Sequence, residues 1–265
     1  MSAADQWRAD LAAWAIPDEI LAQAPTSPWG FSVAGFRDRA ARQQDDPTPG
    51  HAVMRAAVPE GGSVLDVGCG GGGASLPLIP PAAQITGVDS SAGMLEVFRD
   101  AVTAAGGQAD VVDGEWPAIA PQVGPHDVVV AQDVVYNVPD LAGFVRACNE
   151  RARRRVVLVL PTAHPMGWTR PYWRDLWDLD RPTGPTVDLC AEVVTEALGV
   201  VPERTSWTEP TLWSFASPDE ALEHVRVRLC LPASRDDDIR NALTRTPPPV
   251  TREAWAVWWD PGQGV

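Results

Sequence analysis

From residue 63 the chain reads Ser63-Val64-Leu65-Asp66-Val67-Gly68-Cys69-Gly70-Gly71-Gly72-Gly73. A short apolar run that breaks into glycines predicts a buried strand, then a tight turn, then the start of a helix. Glycine lacks a Cβ, so the backbone turns sharply there and a ligand can approach closely. A helix opening at such a turn offers unpaired N–H groups to an anionic part of that ligand. The segment therefore calls for a parallel α/β sheet with a nucleotide-like cofactor at its strand tips.

Glycine spacing alone does not identify the cofactor. Gly68, Gly70 and Gly73 satisfy G-x-G-x-x-G, and Asp89 follows about twenty residues on, as in a dinucleotide site. Asp66 with Gly68, Gly70 and Gly72 equally satisfies D-x-G-x-G-x-G. Three later segments discriminate. Gln84–Asp89 reads as a second strand and continues as Ser90-Ser91-Ala92-Gly93-Met94-Leu95, giving D-x-S-x-x-M-L. Ala109–Asp113 reads as a third strand followed by Gly114-Glu115-Trp116. His126–Ala131 reads as a fourth, followed by Gln132-Asp133-Val134-Val135-Tyr136-Asn137. As a set, over roughly residues 60–160, these motifs resemble those of class I S-adenosylmethionine-dependent methyltransferases of the small-molecule type.

The resemblance implies a Rossmann-like, seven-stranded, mostly parallel sheet with helices on both faces and an antiparallel last strand. It implies S-adenosyl-L-methionine as the cofactor and assigns roles to several residues. Asp89 would accept from the ribose hydroxyls, and Ser90 follows it. Asp113 would contact the adenine amine, with backbone groups of Gly114 and Glu115 facing the ring. Met94 and Trp116 are candidates to pack on the adenine faces. Asp66 and Gly68, Gly70 and Gly72 would shape the methionine end, and Gln132 and Asp133 would offer acceptors to its ammonium. A nicotinamide-dependent oxidoreductase and a regulatory protein that binds the cofactor without turnover stay open as alternatives.

Methyl transfer from a sulfonium is an in-line displacement in which the cofactor brings the activated group, so no nucleophilic side chain is needed. A base is needed only for an acceptor that binds protonated. His164, after the fifth strand, and Tyr136, after the fourth, are the candidates. Trp29, Phe31, Trp168, Tyr172 and Trp173, with Tyr136 and His164, form the candidate acceptor site, and Trp177, Trp207 and Trp213 belong to the same aromatic set. Twelve tryptophans in 265 residues point to an apolar or aromatic small-molecule acceptor. His51, His126 and His224 read as structural.

Composition narrows the partners. A net charge of −14 argues against nucleic acid. The one basic cluster, Arg151 with Arg153, Arg154 and Arg155, reads as the cationic end of a helix. All 21 basic residues are arginine, which removes Schiff-base chemistry. Cys69, Cys148, Cys190 and Cys230 are far apart, so neither a metal site nor a disulfide framework is expected. No signal peptide and no membrane-spanning run is visible, so a reduced, cytoplasmic protein is expected. Oligomeric state is not legible.

Along the chain, residues 1–58 read as a helical N-terminal lid and 59–265 as the catalytic domain, with cap insertions at about 161–187 and 209–250. Helices are expected over Ala74–Leu78, Gly93–Ala105, Pro139–Arg151 and Asp188–Leu198. The fifth strand is expected at Arg155–Leu160, the sixth at Val201–Thr208 and the last at Trp255–Trp259.

Overall fold

The computed structural model describes residues 1–29, 33–211, 215 and 217–262. Its helices are α1 (Ala3–Ala12), α2 (Asp18–Leu21), α3 (Val33–Asp45), α4 (Pro49–Arg55), α5 (Ala92–Ala104), α6 (Leu141–Arg151), α7 (Arg170–Trp177), α8 (Val187–Leu198), α9 (Pro218–Arg228) and α10 (Asp236–Arg245). Its strands are β1 (Gly62–Val67), β2 (Ala82–Asp89), β3 (Gln108–Asp113), β4 (His126–Gln132), β5 (Ala152–Pro161), β6 (Glu203–Pro210) and β7 (Thr251–Trp259). They form one seven-stranded sheet in the order β3-β2-β1-β4-β5-β7-β6. The first five strands pair in parallel, and β7 runs antiparallel to both β5 and β6. This is the doubly wound sheet expected, and its order reverses at β1 and β4, where such a sheet holds its ligand.

Period-two alternation sorts the strand side chains onto two cores. Leu65, Val67, Val129, Ala131, Leu158 and Leu160 point toward α1, α6 and α8. Val64, Val128, Val130, Val157 and Val159 point toward α3, α4 and α5. Residues of both faces are fully buried, which explains why β4 and β5 read as continuous apolar runs. Each such side chain contributes roughly 1.5–3 kcal/mol by leaving water. A third, smaller core joins α2, α7, α9 and α10 through Ile20, Tyr172, Trp173, Leu222, Val225 and Ile239.

Three expectations change. The helix expected at Ala74–Leu78 is a single 3-10 turn, Leu76–Leu78. Pro77 lacks an N–H, and Pro80 and Pro81 follow, so no α-helix propagates. The glycine turn therefore lacks a helix dipole behind it. The expected lid divides. Trp7 of α1 is fully buried beneath the sheet, its indole N–H donating to the Val138 carbonyl at 2.9 Å. α4 packs on β5, β6 and β7, and α3 covers the glycine turn. The arginine cluster divides: Arg151 ends α6, whereas Arg153, Arg154 and Arg155 lie in β5. Arg155 stacks on the Trp258 ring at 3.9 Å and pairs with Asp260 at 2.8 Å. Within 209–250, α9 and α10 pack with α7 in the third core.

Candidate functional site

β1 delivers Asp66 and the glycine turn to the middle of the sheet. Gly68, Gly70 and Gly72 have φ of +68°, +49° and +87°, a region where a side chain is strained. A Cβ on Gly70 would stand 3.2 Å from the Phe36 ring, and one on Gly71 2.8 Å from the Phe36 carbonyl oxygen. The turn is thus roofed by α3, and any larger residue would lift that roof. His51 of α4 braces the far end of the turn, its Nε2 lying 2.9 Å from the Gly73 carbonyl while Nδ1 accepts from the Thr48 N–H.

Asp66 is 1% exposed. Its one partner is the Ser75 hydroxyl, which donates at 2.6 Å. Burial, followed by the neighbouring Asp89 charge against the Ser75 bond, moves its pKa up to about 7. Asp89 ends β2. One of its oxygens accepts from the Gly70 N–H at 3.0 Å, the other from the Ser91 N–H at 2.9 Å. Two loops therefore aim this carboxylate, and a carboxylate keeps lone pairs beyond two such bonds. Asp113 lies directly across from Asp89 in the β2–β3 register, and it is exposed. Ser90 and Glu115 are exposed beside these acids, and Gly114 donates to the Asp89 carbonyl at 3.1 Å. Met94 is buried in the first turn of α5.

Trp116 does not face this crevice. It is 7% exposed, within the core against α6, its N–H 3.4 Å from the Phe144 carbonyl. Its apolar surface was better buried beneath β4 than beside a ligand.

At the tip of β4 the arrangement differs from the expectation. Gln132 reaches Gln43 of α3 at 3.3 Å. Asp133, in a left-handed conformation (φ 58°), is held by two guanidiniums. Arg252 of β7 grips both its oxygens at 2.9 Å, and Arg39 of α3 donates to one at 2.6 Å. Arg252 also binds Glu209 of β6 at 2.6 Å, and Glu209 accepts from the Trp207 indole at 2.8 Å. These counter-charges overcome burial and hold the Asp133 carboxyl well below the usual carboxylate range. The Asp133 carboxylate is therefore engaged by protein cations. Arg39, Glu209 and Arg252 went unsingled in the sequence. They stand far apart along it, Arg39 in α3, Glu209 in β6 and Arg252 in β7.

Next to this ionic knot, where β5 ends and β7 begins, lies a cleft of about 250 Å³ lined by Pro161, His164, Trp168, Pro249, Arg252 and Glu253, among others. Of the expected acceptor residues, His164 and Trp168 line it. Tyr136 sits behind, 4% exposed, its hydroxyl donating to the Pro161 carbonyl at 2.9 Å. Burial pushes its pKa further up, so it is a wall and not a base. Tyr172 and Trp173 fill the third core instead, Tyr172 donating to the Thr246 carbonyl at 2.6 Å. Trp29 is half exposed, and Phe31 and Trp213 lie outside the described residues. Trp14, which the sequence reading passed over, stacks on His164 with centroids 4.1 Å apart.

Residues 64–154, which hold the turn and the three acids, match the model of the methyltransferase domain family. The matched segment is about a third of the chain. The methyltransferase segment is similar to the ubiquinone biosynthesis O-methyltransferase of Azorhizobium caulinodans, 32% identical over 43% of this chain and 45% of that protein. It is also similar to the protein of the same description from Nitrosospira multiformis, 36% identical over 38% of this chain and 43% of that one. The chain thus covers less than half the length of these curated relatives. The YcgJ protein of Bacillus subtilis shares the fold, with a TM-score of 0.54 and 16% identity over 81% of this chain and 99% of that one.

Proposed function

We propose that this protein transfers a methyl group from S-adenosylmethionine to a small acceptor held in the cleft beside β5. The observation that carries this reading is the pair Asp89 and Asp113, side by side at the tips of β2 and β3, one of them hydrogen-bonded to the glycine turn itself. The crevice suits an adenosyl ligand. Asp89 is already oriented by two backbone donors and retains lone pairs for two vicinal hydroxyls. Asp113 presents an exposed carboxylate for an exocyclic amine. When bound, the cofactor supplies a sulfonium-activated methyl group.

The protein's own work is positional. Asp89 and Asp113 set the long axis of the ligand across the strand tips. The glycine turn and the roof of α3 fix its other end. The cleft aligns the acceptor, and such alignment lowers a barrier by about 7–11 kcal/mol. The apolar walls Pro161, Trp168 and Pro249 exclude water from the nucleophile. The relatives' activity, O-methylation in ubiquinone biosynthesis, favours an oxygen nucleophile on the acceptor. The acceptor is read as a small molecule, since a net charge of −14 disfavours a phosphate backbone. Among the described residues no helix is long and apolar enough to cross a membrane.

Calorimetry with S-adenosylhomocysteine tests the cofactor directly, and transfer of a labelled methyl group tests turnover. Stabilisation by NADH but not by S-adenosylhomocysteine in a thermal melt would overturn the reading in favour of a dinucleotide enzyme. Binding without transfer to a broad acceptor panel would favour a regulatory cofactor-binding protein.

A further inference from the structure

The glycine turn ends on a carbonyl that its own backbone cannot satisfy. In an α-helix opening after the turn, the Gly73 carbonyl would accept from the N–H four residues on. Residue 77 is proline and has no N–H. No backbone N–H among the described residues donates to the Gly73 oxygen. A half-buried carbonyl left this way needs another donor. That donor comes from α4, outside the segment that matches the family model. His51 is 3% exposed, and its Nε2 lies 2.9 Å from the Gly73 oxygen. Its Nδ1 lies 2.9 Å from the Thr48 backbone nitrogen, whose N–H can only donate. One ring nitrogen must accept and the other must donate, so the imidazole is neutral with its proton on Nε2. Three contacts thus peg the turn. Asp89 takes the Gly70 N–H, Asp66 takes the Ser75 hydroxyl, and His51 takes the Gly73 carbonyl. The two acids belong to strands of the sheet. His51 stands on a helix pressed against β6, where a Cβ on Gly50 would come 2.7 Å from the Trp207 ring.

We propose that His51 is a positioning residue of the cofactor site: its neutral imidazole ties the glycine turn to α4, and a second proton on the ring loosens the turn and weakens cofactor binding. This rests on the methyl-transfer reading above and adds a control by protonation to the same site. An imidazolium has two N–H groups and no lone pair. Its Nδ1–H would point at the Thr48 N–H, donor against donor, and the capping box that starts α4 would open. The ring must then move, and the Gly73 oxygen loses its donor. The proton comes from bulk water and returns there. The surroundings keep the ring neutral. Burial, the largest influence, holds the imidazole pKa below its ordinary value, against the Gly73 bond and the Glu209 charge of β6; Arg39 of α3 acts in the same sense as burial. Arg39 is itself paired with Asp133, Arg252 of β7 with Glu209, and Arg155 of β5 with Asp260. Arg55, on α4 itself, donates to the Pro77 and Pro80 carbonyls, and the 3-10 turn Leu76–Leu78 carries no charge.

Two variants separate the helix cap from the tether. His51→Asn sets its amide oxygen where Nδ1 stands, so it keeps the cap and drops the donor to Gly73. His51→Gln sets its amide nitrogen where Nε2 stands and keeps that donor. In calorimetry with S-adenosylhomocysteine at neutral pH, His51→Asn should bind about ten-fold more weakly than wild type, and His51→Gln should recover most of the loss. Thermal melts on the same samples show that each variant is folded. Equal affinities for the two variants, as a capping role alone requires, overturn the proposal. Wild-type protein carries the second test, nitrogen NMR with labelled histidine, the His51 signals being those missing from His51→Gln. The neutral ring should show a proton on Nε2 and none on Nδ1. By linkage, saturating S-adenosylhomocysteine should lower the His51 midpoint further, by the same factor that the second proton weakens binding. A proton on Nδ1 of the neutral ring, or a midpoint that the ligand does not move, overturns the proposal. Failure of the wild-type protein to bind S-adenosylhomocysteine sinks the methyl-transfer reading, whereas wild-type affinity in His51→Asn sinks this inference alone.

Discussion

Asp66 and Asp133 end neighbouring strands, β1 and β4, and both are withdrawn from water, yet they hold opposite states. Asp66 has a single hydroxyl partner and the Asp89 charge nearby, so burial raises its pKa to about 7. Asp133 has two guanidiniums on it, which outweigh the same desolvation and keep it ionised. Burial alone does not decide the charge of a carboxylate; the cations that the fold brings to it do. The site is accordingly divided. Its glycine side rests on an acid that is largely neutral at pH 6, and its acceptor side is fastened by an ionic knot joining α3, β4, β6 and β7.

The largest effect should come from breaking the knot. Asp133→Ala leaves Arg39 and Arg252 buried without their shared partner, and should cost about 3–5 kcal/mol in urea denaturation. Asp133→Asn keeps a residue tolerant of the left-handed backbone and so isolates the charge. The stability that wild-type Asp133 contributes is present above the unfolded carboxyl pKa and is lost as pH falls below about 4. Asp66 should behave in the opposite sense. Its raised pKa means that its contribution is full below about pH 4, falls as pH rises toward 7, and is gone above it. Against Asp66→Asn, which lacks this titration, wild-type stability should drop across that window by up to about 1.4 kcal/mol per pH unit, then level off. Equal pH slopes for the two proteins would show Asp66 to be ordinary.

Next in size, Asp89→Ala should weaken S-adenosylhomocysteine binding by about 1.5–3 kcal/mol in calorimetry, since hydrogen bonds to a charged group are lost. Unchanged affinity would remove Asp89 from the cofactor site. The smallest effect is expected from Arg39→Ala, about 1.5 kcal/mol, because Arg252 still holds Asp133 with two bonds. Its more telling readout is amide exchange in α3, which should speed up where the helix roofs the glycine turn.

The legibility of the molecule followed the range of the interactions. β1 to β5 announced themselves through local apolar runs and acids at strand ends, and the antiparallel β7 and the helices after β5 followed from the resemblance and periodicity. Local chemistry misled where a proline or a partner intervened. Pro77 shortened the helix after the turn, and Trp116 lies in the core with its N–H toward the Phe144 carbonyl of α6. Tyr136 and His164 were singled out as bases from their place after strands. Neither sequence neighbourhood showed that the Pro161 carbonyl would occupy the phenol or that the Met166 N–H would fix the imidazole tautomer.

What the residues determined unaided is the doubly wound sheet and the crevice at its reversal, because alternation, glycine conformation and strand-end acids are properties of short segments. What the tertiary structure alone decided is the protonation and employment of the side chains around that crevice. Arg39, Asp133, Glu209 and Arg252 are up to 213 residues apart in number, from Arg39 to Arg252, and meet within hydrogen-bonding distance only once the sheet is closed. Electrostatic energy depends on distance and on the exclusion of water, and neither is written in the order of the chain.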